Sequence, residues 1–152
     1  MHATHRGLQQ RLLEVPVLQA LPEELRLSLC MTLWWLGEVR EMKYGEVLFR
    51  QGDAGANTGC ALLDGIVSVR RDDNPPVEVV GPDLLGELMQ LESDATRTAT
   101  VTVAERALVL QFDWHDFVGV CGLILDQENQ DLLRDRMQEI AAQRLREIKG
   151  EA

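Results

Sequence analysis

The sequence predicts a mainly β fold, a small sandwich or jelly-roll barrel with helices before it and a long helix after it. Three observations carry this prediction: short β-type runs broken by turn residues between 39 and 113, apolar residues at helical spacing before residue 38, and a helical pattern free of proline and glycine from 126 to 149. With 152 residues and 45% hydrophobic content, the chain can bury a core of its own, yet it stays within the size of one domain. The expected organisation is therefore a single domain over 1–152. It comprises an N-terminal helical segment at 1–38, a β region at 39–113 and C-terminal helices at 114–152.

In the first segment, Pro22 suits an initial helical position and Glu23 and Glu24 favour the positive end of a helix dipole. Leu25, Leu29, Leu33 and Leu36 then recur at helical spacing. Trp34 and Trp35 cannot face the same way on that helix, so one of them is expected in a contact between elements or subunits. The strand candidates are 39–43, 47–50, 60–63, 66–70, 77–80, 98–103 and 108–112. Asp64-Gly65 reads as a two-residue hairpin turn, whose central positions need positive φ. Residues 72–76 form a looser loop. In the last helix, Leu133, Met137, Ile140, Ala141, Leu145 and Ile148 make one stripe, with Asp131, Asp135, Glu139 and Arg146 mainly elsewhere. Such a helix can pack on its own barrel, close over a ligand as a lid, or pair with a second copy to make a homodimer.

Charge and composition exclude several functions. A formal net charge of -10 opposes a polyphosphate backbone, whose binding rests largely on lysine and arginine, so no nucleic-acid partner is expected. A small anion remains compatible, because that diffuse field is screened within about 10 Å at ordinary salt. Cys30, Cys60 and Cys121 are odd in number, far apart and without a CxxC pair, which argues against zinc or a redox dithiol and for a reducing, cytoplasmic setting. No signal-peptide pattern and no run of roughly 18 apolar residues is present, so no membrane insertion is expected. The histidines are His2, His5 and His115, too scattered for the ligand set of a metal-dependent cupin. His115, with Asp113 and Asp116, reads as a helix-start cluster. No nucleophile–base pair stands at a useful spacing, so neither catalysis nor a cofactor or metal is expected.

Two short segments do point to chemistry: Leu85-Gly86-Glu87-Leu88, and a few residues later Arg97-Thr98-Ala99-Thr100-Val101. Gly86 lets backbone approach a ligand closely, and a short helix starting there aims free N–H groups at an anion. Glu87 offers an acceptor for a sugar hydroxyl. Arg97 supplies a planar, permanently charged fork for two phosphate oxygens, and Thr98 a hydroxyl beside it.

In this order the two segments resemble the ends, over 85–101, of the phosphate-binding cassette of the cyclic-nucleotide-binding domain family, which includes bacterial catabolite activators, protein kinase A regulatory subunits and cyclic-nucleotide-gated channels. The stretch Tyr44-Gly45-Glu46-Val47-Leu48-Phe49-Arg50-Gln51-Gly52-Asp53 resembles that family's early strands, and Asp64-Gly65-Ile66-Val67-Ser68-Val69 its next hairpin. The resemblance implies a β-roll with flanking helices that holds cAMP or cGMP as a regulatory ligand. It implies that Glu87 accepts from the ribose 2′-hydroxyl, that Arg97 pairs with the cyclic phosphate, and that Thr98, Ala99 and the amides of Gly86 and Leu88 complete the cradle. Val77 and Val79 are candidates for the apolar wall under the base; Arg134, Met137 and Gln138 are candidate base-facing residues of a lid, by their position midway along the last helix. This chain departs from the family pattern at Leu85, Met89, Gln90 and Thr96, where an aromatic, a small residue, an apolar residue and proline are usual.

The expected function is a regulatory sensor that favours cAMP over cGMP and signals through its C-terminal helix. Thr98 could also reach a syn guanine. The alternative is a degenerate domain that keeps the roll without nucleotide and serves as an interaction or dimerisation module; it accounts for Met89 and Gln90, and less well for Glu87, Arg97 and Thr98 together. Transcription factors of the family carry a helix-turn-helix unit after the long helix, whereas this sequence ends at Ala152. The expectation is a stand-alone sensor, or a fragment whose effector lies elsewhere.

Overall fold

The computed structural model describes residues 5–54, 57–85 and 96–150. Three helices come first: α1 (His5–Leu13), α2 (Pro16–Gln19) and α3 (Glu23–Leu36). Pro16 opens α2 where a missing N–H costs no helical hydrogen bond. α3 starts one residue after Pro22, carries Glu23 and Glu24 in its first turn and buries Leu29, Cys30 and Leu33. Of the tryptophan pair, Trp34 is half-buried against the core and Trp35 is 87% exposed.

Among the described residues six strands follow: β1 (Glu38–Met42), β2 (Val47–Phe49), β3 (Thr58–Arg70), β4 (Val77–Val80), β5 (Asp83–Leu85) and β6 (Thr100–Asp113). Two helices close the chain, α4 (Trp114–Ile124) and α5 (Gln127–Ile148). Each is capped by an aspartate: Asp113 accepts from the Asp116 N–H at 3.0 Å and Asp126 from the Asn129 N–H at 2.9 Å. Asp113, His115 and Asp116 thus form a helix start, as the sequence predicts.

All strand pairings are antiparallel. The order is β1-β6-β3-β4, with β2 added to β6 and β5 added to β3. β3 and β6 run against each other from Thr58↔Asp113 to Arg70↔Thr100. Here the structure corrects the sequence reading, since the runs 60–63 and 66–70 are one strand, as are most of 98–103 and 108–112. Asp64-Gly65 is not a hairpin turn. The β3–β6 register slips between Leu62 and Asp64, between Asp64 and Ile66 and between Ile66 and Val67, so this dipeptide sits in a bulge that bends the strand. Gly65 takes a φ of +102°, and a Cβ there would press into the Arg106 carbonyl oxygen. Asp-Gly between apolar runs suits a turn and a bulge alike, and only the partner strand distinguishes them. Arg11 of α1 grips the same place, donating to the Leu63 carbonyl and to Asp64 Oδ1, each at 3.0 Å.

Alternation along β3 and β6 divides the interior in two. Ala61, Leu63, Leu110 and Phe112 face a helical layer with Leu12, Leu18, Leu29, Phe117 and Leu133. Cys60, Leu62, Val67, Val69, Val101, Val103 and Val109 fill the inside of the roll. Both faces of 60–63 are buried, which explains its unbroken apolar run. α5 belongs to both layers: Leu133 packs in the helical one, while the fully buried Ala141 and Ile148 pack in the roll.

A side chain at residue 65 meets both a left-handed backbone and a close carbonyl, so Gly65→Ala is expected to destabilise the fold by about 1–3 kcal/mol. Urea unfolding should show a lower midpoint at an unchanged slope. A wild-type midpoint would show that the bulge does not require glycine.

Candidate functional site

Arg97 and Arg144, 7% and 8% exposed, are the buried charged residues among those described. The backbone of Arg97 is clamped: its N–H donates to the Asp53 carbonyl at 3.0 Å and its carbonyl accepts from the Gly52 N–H at 2.9 Å. Thr96 bridges Ala54 beside it. Three residues further, at the start of β6, the Thr100 hydroxyl accepts from the Gln51 N–H at 3.0 Å. This places the guanidinium over the Phe49 ring, 3.9 Å from its centroid, with Nη2 donating to the Thr58 carbonyl at 2.8 Å. A stacked cation of this kind contributes about 0.5–2 kcal/mol. Burial pulls the Arg97 pKa below its ordinary value.

Arg97 lines a cleft of about 280 Å³ with Val47, Leu48, Phe49, Arg50, Asp53, Ala54, Thr58 and Gln111. Phe49 links it to the apolar roll, since Phe49, Leu85, Ala99, Val79 and Val101 pack in one cluster and Val77 lies against it. Ala99 is 5% exposed and Thr98 is half-buried. Of the expected ligand-binding residues, Arg97, Ala99, Val77 and Val79 therefore gather around one interior. Gly86, Glu87 and Leu88, with Met89 and Gln90, lie outside the described residues.

Arg134, Met137 and Gln138 do not join that interior. They line a separate cleft of about 300 Å³ between α4 and α5, with Trp114, Phe117, Val118, Cys121, Gln130 and Leu133. Arg134 is exposed there and pairs with Asp131 at 2.9 Å. The helical repeat explains this placement, because the first half of α5 turns its apolar face to the helical layer. Its second half reaches the roll through Ala141, Leu145 and Ile148.

Sequence reasoning missed Phe49 and Thr58, which meet Arg97 only through the fold. It also missed Arg144, although one signal was present. Met137, Ala141, Arg144 and Ile148 stand at steps of four, three and four, so the arginine occupies a core position of the stripe.

The sequence pattern of the cyclic nucleotide-binding domain matches residues 39–122, more than half of the chain. The chain belongs to the cyclic nucleotide-binding domain family. It is 35% identical over 104 residues to the Pycsar effector protein RsmPycTIR of Rhodovulum sp. (strain MB263), a match that covers 64% of this chain and 37% of that protein. The chain thus corresponds to little more than a third of that relative. Among solved structures it is similar in fold to PKAR CBD2 bound to Sp-2Cl-cAMPS, with a TM-score of 0.63 at 22% identity, over 87% of this chain and 88% of the other. It is likewise similar to the catabolite activator protein of Thermus thermophilus, with a TM-score of 0.64 at 21% identity, over 88% and 60%. The family is one of regulatory domains, and a mainly antiparallel roll between N-terminal helices and a C-terminal helix is its architecture.

Among the described residues of this cyclic nucleotide-binding domain, no group of histidine, cysteine and carboxylate side chains could hold a metal ion, and no helix is long and apolar enough to cross a membrane. Its cysteines are free and buried. Burial pushes the thiols of Cys30 and Cys121 up to about 11 and that of Cys60 up to about 12. Thiolate is the reactive form, so at pH 8 the folded protein should leave a disulfide reagent such as DTNB unconsumed, and denaturant should release three equivalents, one for each cysteine. A rapid reaction before unfolding would mean that one of these thiols is accessible.

Proposed function

We propose that this domain is a sensor that binds a cyclic nucleotide, cAMP in preference to cGMP, and signals through α5. The observation that carries the reading is the buried guanidinium of Arg97. It lies in the stretch matched by the family and is held by Thr58 and Phe49 at the edge of the apolar roll. A guanidinium fixed in this way offers a preorganised site for an anion, with little freedom left to lose on binding. In the proposed complex the cyclic phosphate pairs with Arg97 and is cradled by Thr98, Ala99 and the amides of Gly86 and Leu88. Glu87 accepts from the ribose 2′-hydroxyl. Val77 and Val79 supply the wall under the base, and the second half of α5, through Ala141, Leu145 and Ile148, supplies the cover. The effector that reads α5 is a further domain or a separate protein, and a second copy is a candidate partner through the same helix.

Purified protein is to be titrated calorimetrically with cAMP, cGMP, cCMP, cUMP and 5′-AMP. Tightest binding is expected for cAMP and none for the non-cyclic control. Failure of every cyclic nucleotide to bind would overturn the sensor reading, while preference for another base would overturn only the choice of cAMP.

Charged hydrogen bonds contribute roughly 1.5–3 kcal/mol, and removing one partner of a buried charged pair costs about 2–5 kcal/mol. At about 1.4 kcal/mol per tenfold, Arg97→Ala should weaken binding about thirtyfold or more. An unchanged Kd would remove Arg97 from the site.

If Glu87 holds the 2′-hydroxyl, 2′-deoxy-cAMP should bind wild type less well, and Glu87→Ala should erase that difference, because both changes remove one interaction. Additive losses would assign Glu87 another role. For the lid, bound cAMP should slow amide exchange over 132–145 as well as over 86–91 and 97–99. Protection confined to the latter two segments would leave α5 out of the signal.

A further inference from the structure

Arg144 occupies an apolar position of α5, between Ala141 and Ile148, both fully buried. Its guanidinium spans two groups of β5: Nη2 meets Asp83 Oδ2 at 2.8 Å and Nη1 donates to the Leu84 carbonyl. The second carboxylate oxygen of Asp83 accepts from the Leu84 N–H at 2.7 Å, so the acceptor is itself fixed. The side chains of Arg144 and Asp83 are only 9% and 20% exposed. β5 in turn is paired with β3 through Asp83↔Leu62, Leu84↔Ala61 and Leu85↔Cys60. One residue after Leu85 the sequence enters 86–91, the first half of the cassette.

An exposed ion pair in this place would add little, and a buried one gives no more stability than a leucine or methionine of similar size. What the pair adds is geometry, since a planar fork satisfied by one carboxylate and one carbonyl sets both the position and the rotation of the helix against the strand. We infer that Arg144 is a positioning residue that locks the second half of α5 to β5, so that strand and helix move as one body. This rests on the reading of 86–99 as the nucleotide site.

The test compares full-length wild type, Arg144→Gln, Asp83→Asn and the double variant by hydrogen exchange, with and without saturating cAMP, and by cAMP titration. Without nucleotide, each single variant should speed exchange over 83–85 and over 137–148 together, by tenfold or more, while the β3–β6 ladder keeps its wild-type protection. Each should also raise the Kd for cAMP about tenfold, with the double variant no worse than the weaker single one. Faster exchange in α5 alone, additive losses of affinity, or loosening spread evenly over β3 and β6 would each overturn the inference, the last because it marks general destabilisation. A wild type that binds no cyclic nucleotide sinks the sensor reading and leaves the exchange of the free protein to decide this one. Should Arg144→Gln fail to fold, Asp83→Asn carries the same comparison from the other side of the pair.

Discussion

The antiparallel pairing of β3 with β6 is the constraint from which the rest of the fold hangs. Every other strand is added to one of these two: β1 and β2 to β6, β4 and β5 to β3. Strands of 13 and 14 residues would make a long flat ribbon if their register were uniform. The slips around Asp64, Gly65 and Ile66 break that uniformity and turn the ribbon into a roll with an inside and an outside. The outside takes up the helices. The inside becomes the apolar chamber beside which Arg97 is stationed.

That chamber belongs to a strongly acidic chain, and its buried cations follow a common pattern. Arg97 donates to the Thr58 carbonyl and Arg144 to the Leu84 carbonyl, so each guanidinium is held partly by backbone dipoles whose positions the sheet sets. Buried charge is costly unless it is hydrogen-bonded, and carbonyls of a paired strand are acceptors that cannot rotate away. One guanidinium is held by Asp83 and Leu84 of β5 and the other by Thr58 of β3, so two fixed positive charges are tied to the sheet of a molecule whose overall charge is negative.

What the sequence disclosed was local. The helix start at Asp113, the acidic start of α3 and the extent of α5 are written within a few residues of where they act, and the sequence predicts each within a residue or two. The apolar runs on either side of Asp64-Gly65 were legible as β structure for the same reason. Their union into one strand was not, because a bulge is defined by the register of a partner some 40 residues away. β5, with three residues, is too short to show alternation. At the site, the motif pointed to Arg97, but its contacts with Phe49 and Thr58 join residues 48 and 39 positions apart. Arg134, Met137 and Gln138 were chosen by position along α5. Only the fold shows that the helix serves the helical layer with one half and the roll with the other.

That division gives α5 the mechanics of a lever. A helix of 22 residues is a stiff rod of roughly 33 Å, and Leu133 and Arg144 sit about 16 Å apart on it. With Leu133 held among α4 and the first helices, a displacement of about 2 Å at the Arg144 end tilts the rod by roughly 7° about that pivot. The first half of the rod packs in the helical layer and the second half against the roll through Ala141, Leu145 and Ile148. A shift of about 2 Å of that end against the helical layer would therefore register as a change in the angle of the whole rod, not as a local displacement of one side chain.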